Sequence, residues 1–244
     1  MRIDGKTVLI TGGATGIGFA LAKALYQHGA RVAACGRREK TLEDAKLKLP
    51  PLKTYICDVT NAAATSALLH EMEERLGGVD ILINNAAILH AADQLDQDAD
   101  PTEVANEVSI NLLAPIQLTK LFLPHLRARP AAAIVNVTSN LALTPAPFAN
   151  VYCATKAGLH SFSIGLRDQL NGSGVKVFEL MAPLTDTPMS EEVPVKKYSP
   201  RKLALETLRA ISNDHYEIHA GRMKEFYWLY RVAPGLAARV VRYV

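Results

Sequence analysis

The segment from Thr7 to Gly29 constrains this chain more than any other. A short apolar run, Thr7 to Ile10, stops at Thr11-Gly12-Gly13-Ala14-Thr15-Gly16-Ile17-Gly18. An alanine-rich helical pattern follows, with Ile17, Leu21, Ala24 and Leu25 on one face, and it ends at Gly29. A strand that breaks into small residues and opens directly into a helix builds a phosphate cradle. The backbone can approach a pyrophosphate, and the helix N-terminus offers free N–H groups and partial positive charge. The spacing is Gly-x-x-x-Gly-x-Gly, not the more common Gly-x-Gly-x-x-Gly. Alone, such a turn could be a tight connection and nothing more. A strand before it and a long helix after it favour a nucleotide.

The same alternation continues down the chain. Apolar runs at Arg31–Cys35, Leu52–Cys57, Val79–Ile83, Ala132–Thr138, Val175–Leu180 and Tyr216–Ala220 are separated by helical patterns, among them a long one over Thr102–Arg129. Strands alternating with helices imply an α/β fold with a parallel sheet and right-handed crossovers. With 244 residues, 49% of them hydrophobic, the chain suits one large domain with both sheet faces covered. The acid-rich stretch 88–101 is expected to be a loop, and residues 182–200, punctuated by prolines, a mobile flap over the sheet.

The second strand ends in Gly36-Arg37-Arg38. Dinucleotide folds place an acid near here for a ribose 2′-hydroxyl, or an arginine for a 2′-phosphate. The acid is missing and two guanidinium forks are present, which favours NADP(H) over NAD(H). A solvated helix start is the competing reading of Arg37 and Arg38. Asn111 lies inside the long helix with Pro115 four residues on, so the proline leaves the Asn111 carbonyl without its helical donor. Ser139 closes the fifth strand, and Tyr152 and Lys156 stand four apart in a helical pattern, hence on one face. A cation and a hydroxyl beside a phenol make a proton-transfer site conceivable. Spacing alone proves little, since Tyr198 and Lys202 repeat it with Pro200 between them.

The net charge of +3 is small and its cations are scattered among acids, so no nucleic-acid footprint stands out. Cys35, Cys57 and Cys153 have no metal-like spacing and read as reduced thiols; no metal site is expected. No apolar run approaches a membrane span, and the N-terminus enters a strand at once, without a signal peptide. A cytoplasmic location is expected. Residues 222–244 differ in character: Phe226, Tyr227, Trp228 and Tyr230 stand among Arg222, Lys224, Arg231, Arg239 and Arg242, with Pro234-Gly235 between two helical pieces. Such an extension can be a lid, a subunit contact or a surface helix at a membrane, the last being the minor reading.

The set Thr-Gly-x-x-x-Gly-x-Gly at 11–18, Asn-Asn-Ala at 84–86, Asn111, Ser139 and Tyr152-x-x-x-Lys156 resembles the short-chain dehydrogenase/reductase family. The resemblance reaches to about residue 220. Within that family, Cys-Gly-Arg-Arg-Glu and Thr-Asp-Thr-Pro-Met look like the DltE-type oxidoreductases. It implies a Rossmann-type, doubly wound parallel sheet of about seven strands in residues 1–221, with 222–244 as an extension. By the same resemblance Tyr152 is the general acid or base, Ser139 binds the substrate oxygen, and Lys156 holds the nicotinamide ribose and lowers the phenol's pKa. Asn111 keeps a relay water through its backbone. Gly12, Thr15, Gly16, Ile17 and Gly18 meet the pyrophosphate, Asp58 and Val59 the adenine, Asn85 and Ala86 the adenosine ribose side, and Thr185 and Thr187 close over the nicotinamide. Two departures stand out: Ala87 replaces the family's usual glycine, and Ala182-Pro183 replaces its Pro-Gly, which leaves the nicotinamide-side path open.

The expected activity is NADP(H)-dependent reduction of a carbonyl on an apolar small molecule, with Leu141, Leu143, Pro145, Phe148 and Met189 as lining. Rivals are imine or enoyl reduction, oxidation of a secondary alcohol at the same site, and a cofactor-binding regulatory or membrane-peripheral protein with little turnover. The family implies a homodimer or homotetramer through the helices near 102–129 and 151–172.

Overall fold

The computed structural model describes residues 1–90 and 100–242. Most of the stretch read as an acid-rich loop, at 91–99, and the last two residues lie outside the described part. Seven parallel strands form one sheet in the order β3-β2-β1-β4-β5-β6-β7. They are β1 (Thr7–Thr11), β2 (Arg31–Gly36), β3 (Lys53–Ile56), β4 (Ile81–Asn84), β5 (Ala132–Ser139), β6 (Val175–Ala182) and β7 (Glu217–His219). The helices are α1 (Gly16–Gln27), α2 (Glu39–Lys48), α3 (Ala62–Leu76), α4 (Pro101–Val108), α5 (Ala114–Arg127), α6 (Asn150–Gln169), α7 (Pro200–Ser212), α8 (Met223–Val232) and α9 (Pro234–Arg242). This is the expected doubly wound sheet.

Period-two alternation sends each strand's side chains to two separate cores. Val8, Ile10, Ile81, Ile83 and Val135 join Leu21 and Leu25 of α1 and Leu203 and Leu208 of α7. Leu9, Leu82, Ile134 and Val177 join Leu118 and Phe122 of α5 and Leu166 of α6. Because β1, β4 and β5 bury both faces, their sequences run apolar without a solvent face. The edge strand β3 leaves Lys53 and Ile56 exposed and is shorter than its apolar run.

Helix ends follow local chemistry. Asn61 caps α3 by accepting from Ala64 N at 3.0 Å, and Gly77, at φ 70°, ends it while Gly78 N returns to Met72 O. The long helix expected at 102–129 is broken differently from a simple proline kink. Ser109–Leu113 form a π turn between α4 and α5, with Ala114 N donating to Ser109 O. One residue is inserted into the helical register at Asn111, just before Pro115, which cannot donate to it.

The expected flap between β6 and α7 is tied at its base. Thr185 bridges to Tyr198, Tyr198 N donates to Leu184 O at 2.8 Å, and Asp186 N returns to Tyr198 O at 2.9 Å. The Tyr198 hydroxyl donates to Glu206 at 2.6 Å, and the other Glu206 oxygen accepts from Gly221 N at 2.9 Å. Ser199 caps α7, so Tyr198 lies outside that helix and cannot share a face with Lys202. The second Tyr-x-x-x-Lys is a structural clamp.

Candidate active site

β1 and β4 are neighbours although three helices and two strands separate them in sequence, so the sheet's order reverses between them. Loops leaving the strand ends at such a switch point diverge and leave a crevice. Here it is a cleft of about 1770 Å³. Arg37, Arg38, Asp58 and Val59 line one end, Gly12, Thr15, Gly16 and Ile17 the middle, and Ser139, Tyr152 and Lys156 the far end; Thr185 and Thr187 are also in the lining, the Thr187 side chain close to Gly16.

The glycine turn is built for close approach. Gly12 and Gly16 have φ of 63° and 53°, the left-handed region that favours glycine. A Cβ on Gly18 would collide with the Gly12 carbonyl and lie 2.5 Å from the Asn85 amide. Thr15, at the N-cap of α1, makes no side-chain cap, and no acid occupies the first turn. Backbone donors and the helix dipole therefore face the cleft. Asn85 has its side chain turned inward, donating to Thr11 O at 2.9 Å and Gly12 O at 3.1 Å. Thr11 Oγ1 accepts from Asn85 N and Ala86 N, both at 3.0 Å. Asn85 thus holds the turn in shape.

At the first end Asp58 accepts from Thr60 N at 2.9 Å and Thr60 Oγ1 at 2.7 Å. Burial pushes its carboxyl up, but these bonds and the Arg37 charge outweigh it and hold the group below its ordinary value. Cys35 and Cys57, which sequence reasoning treated only as spare thiols, also line this end.

At the far end, α6 carries Tyr152 and Lys156 on one buried face. Burial raises the Tyr152 phenol well above its ordinary value, a hydrogen bond with Ser139 opposes the rise, and the charges of Cys153 and Glu107 add to it. Burial also pulls Lys156 down to about 8, against an opposing pull from Glu107. Its Nζ donates to Val137 O at 3.0 Å and sits 5.5 Å from the Tyr152 ring centroid. Desolvation is the largest influence on the phenol in this geometry. Asn111 is fully buried, and its side chain clasps the Ile88 backbone through Ile88 N to Oδ1 at 2.9 Å and Nδ2 to Ile88 O at 2.8 Å. It does not itself line the cleft.

Of the expected apolar lining, Leu141, Phe148 and Met189 face the cleft, whereas Leu143 and Pro145 do not. Two short 3-10 turns, Asn140–Ala142 and Pro147–Ala149, swing the loop so that Pro145 meets solvent. The sequence reading missed Val193, Met223, Phe226 and Leu229, which complete the wall. It also missed a buried polar layer behind the site. Glu179 accepts from Thr138 Oγ1 at 2.6 Å and pairs with His160 Nδ1 at 2.9 Å, and Asn136 bridges Asn84 and Ser163. The hydrogen bond that His160 donates to the Glu179 carboxylate raises its pKa against the effect of burial. An acid inside an apolar strand, Val175–Ala182, was the available signal.

A family model described as short chain dehydrogenase matches residues 6–197. An uncharacterized oxidoreductase DltE of Bacillus subtilis is 41% identical over 216 residues, which is 88% of this chain and 83% of that protein. A short chain dehydrogenase of Burkholderia cenocepacia, solved with NADP, superposes with a TM-score of 0.86 at 26% identity, covering 99% of both chains. A 3-ketoacyl-(acyl-carrier-protein) reductase of Brucella melitensis, solved with NADH, gives 0.79 at 26% identity over 85% of this chain and 91% of that one.

Proposed function

The chain belongs to the short-chain dehydrogenase family, and we propose that it is an NADP(H)-dependent oxidoreductase that reduces the carbonyl of an apolar small molecule. The observation that carries this reading is the convergence of Ser139, Tyr152 and Lys156 at one end of a cleft whose other end holds Arg37 and Arg38. The residues fit a dinucleotide: the glycine turn leaves no room for a Cβ at Gly18, and the first turn of α1 presents uncapped donors without an acid. Gly12, Thr15, Gly16 and Ile17 would hold the pyrophosphate, Asp58 and Val59 the adenine, Thr185 and Thr187 the nicotinamide side, and Asn85 would brace the turn. A nicotinamide, when bound, supplies the hydride.

The protein's own part is placement and proton handling. Ser139 Oγ and Tyr152 Oη both donate to the substrate oxygen, and the phenol gives up its proton as negative charge develops there. Tyr152 carries its proton at neutral pH, as any phenol does, and burial raises its pKa further. The Lys156 ammonium stabilises the phenolate left behind. The π turn at Asn111 opens the helix beside the site and fixes Ile88, one wall of the cleft. Leu141, Phe148, Met189 and Phe226 supply apolar contact for the substrate. Self-association is assigned to the α4–α6 surface, where Val108, Leu113 and Ile164 remain exposed.

The arginines decide the cofactor. Losing a charge-assisted hydrogen bond of roughly 1.5–3 kcal/mol weakens binding about ten- to hundredfold. Replacing Arg37 and Arg38 by alanine should weaken NADPH by that factor and leave NADH nearly unchanged, read by fluorescence titration. Equal loss for both cofactors, or an unmodified protein that prefers NADH, would contradict the assignment.

A further inference from the structure

α8 has two faces with different chemistry. On the inner face Met223 is buried, Phe226 and Leu229 line the cleft, and the Tyr227 ring stacks on His219 with centroids 4.6 Å apart. On the outer face Lys224, Trp228, Arg231 and Val232 follow helical spacing. Trp228 is 61% exposed and Val232 80%, and Leu236 in the first turn of α9 is 52% exposed. Arg239, one turn further along α9, is also exposed. An aromatic and two aliphatic side chains therefore stand among Lys224, Arg231 and Arg239. The guanidinium of Arg231 is held over Tyr227, with Cζ 6.0 Å from the ring centroid. The rim of the adjoining cleft adds Lys196, Lys202 and Arg222.

The charge is concentrated here. Residues 222–244 hold five basic residues and one acid, a net of +4, against +3 for the whole chain, so the first 221 residues carry −1. We propose that the outer face of α8 and the start of α9 docks on an anionic lipid surface, which sets the mouth of the cleft against the bilayer. A basic amphipathic helix with tryptophan on its apolar side binds in this way, aliphatic groups entering the interface and cations meeting headgroups. Helices of ten and nine residues are too short to cross, so the segment lies on the surface. A second copy is the poorer occupant. A two-fold contact would bring Lys224, Arg231 and Arg239 against a like-charged patch. Other exposed apolar side chains lie elsewhere, at Val108, Leu113 and Ile164.

Trp228 is the chain's one tryptophan, so its fluorescence reports directly on this face. The full chain is mixed with vesicles of phosphatidylglycerol and phosphatidylcholine, or of phosphatidylcholine alone. The proposal expects a blue shift and co-sedimentation with the anionic vesicles only, both reversed by high salt. Each basic residue near an anionic surface adds roughly fivefold to binding. Lys224→Glu with Arg239→Glu should therefore lower vesicle binding by more than about thirtyfold, with an unchanged thermal melt showing that the fold survives. Trp228→Ser should also weaken co-sedimentation. Equal binding to neutral vesicles, no shift on anionic ones, or a blue shift that tracks protein concentration and dimer formation without lipid would overturn the proposal.

Discussion

Tyr152→Phe should lower kcat for carbonyl reduction by about 10³-fold, within the range removed with a general acid, while cofactor affinity changes by less than about twofold. The phenol oxygen is the proton source at the end of the cleft, and Ser139 remains as the second donor to the substrate oxygen. Phenylalanine keeps the ring packed against Leu89 and Leu141, so the apolar contacts of this corner survive. What disappears is the hydroxyl, with its hydrogen bond to Ser139. A single-turnover assay with excess NADPH separates loss of chemistry from loss of binding. Full activity in the variant would remove Tyr152 from the mechanism.

The second large effect joins stability to activity. Lys156 is buried, and its folded pKa is about 8 against an ordinary 10.5. The fold thus disfavours the ammonium. For a cation whose pKa is lowered on folding, the penalty is complete below the folded value and fades as pH rises towards the unfolded one. At about 1.4 kcal/mol for each pH unit between the two values, the penalty near neutrality is of order 3 kcal/mol. Lys156→Met removes it and also removes the bond to the Val137 carbonyl, which offsets about 1 kcal/mol. The cofactor-free variant should be more stable than the parent by ~1–2 kcal/mol at neutral pH, and the gain should vanish as pH approaches 10.5. Turnover should fall at least about a hundredfold. Urea melts at two pH values test the first part. A variant equally destabilised at both would show that burial of Lys156 is no liability. A stabilising substitution that silences the protein is the mark of a residue kept for chemistry.

Most of the sheet was legible because β1, β4 and β5 are buried on both faces and β6 nearly so, which makes their sequences mainly apolar. The glycine turn was legible for a related reason: close backbone approach tolerates few residue types. Other features depend on contacts no local pattern encodes. The π turn at Ser109–Leu113 has an ordinary helical sequence, and only its burial against α6 and Ile88 gives Asn111 a purpose. The acid Glu107 sits in a helical pattern that looks unremarkable until tertiary packing buries it. Pro145 and Leu143 were expected in the lining because they are apolar and lie between Ser139 and Tyr152. Loop direction, set by two 3-10 turns, decided otherwise. Residues of α8 reach the cleft from more than sixty positions beyond Tyr152; a lid was one reading of this segment, but which of its residues enter the cleft depends on tertiary contacts.

The central claim is that a hydride passes between a nicotinamide held in this cleft and a carbonyl whose oxygen Tyr152 and Ser139 grasp. It is tested most directly by supplying NADPH deuterated at the transferable position with a panel of apolar ketones of graded size, and analysing the alcohols by mass spectrometry. The account predicts deuterium on the former carbonyl carbon with the parent protein, and its loss with Tyr152→Phe. Alcohol formed without deuterium at that carbon, or deuterated equally by the variant, would contradict it.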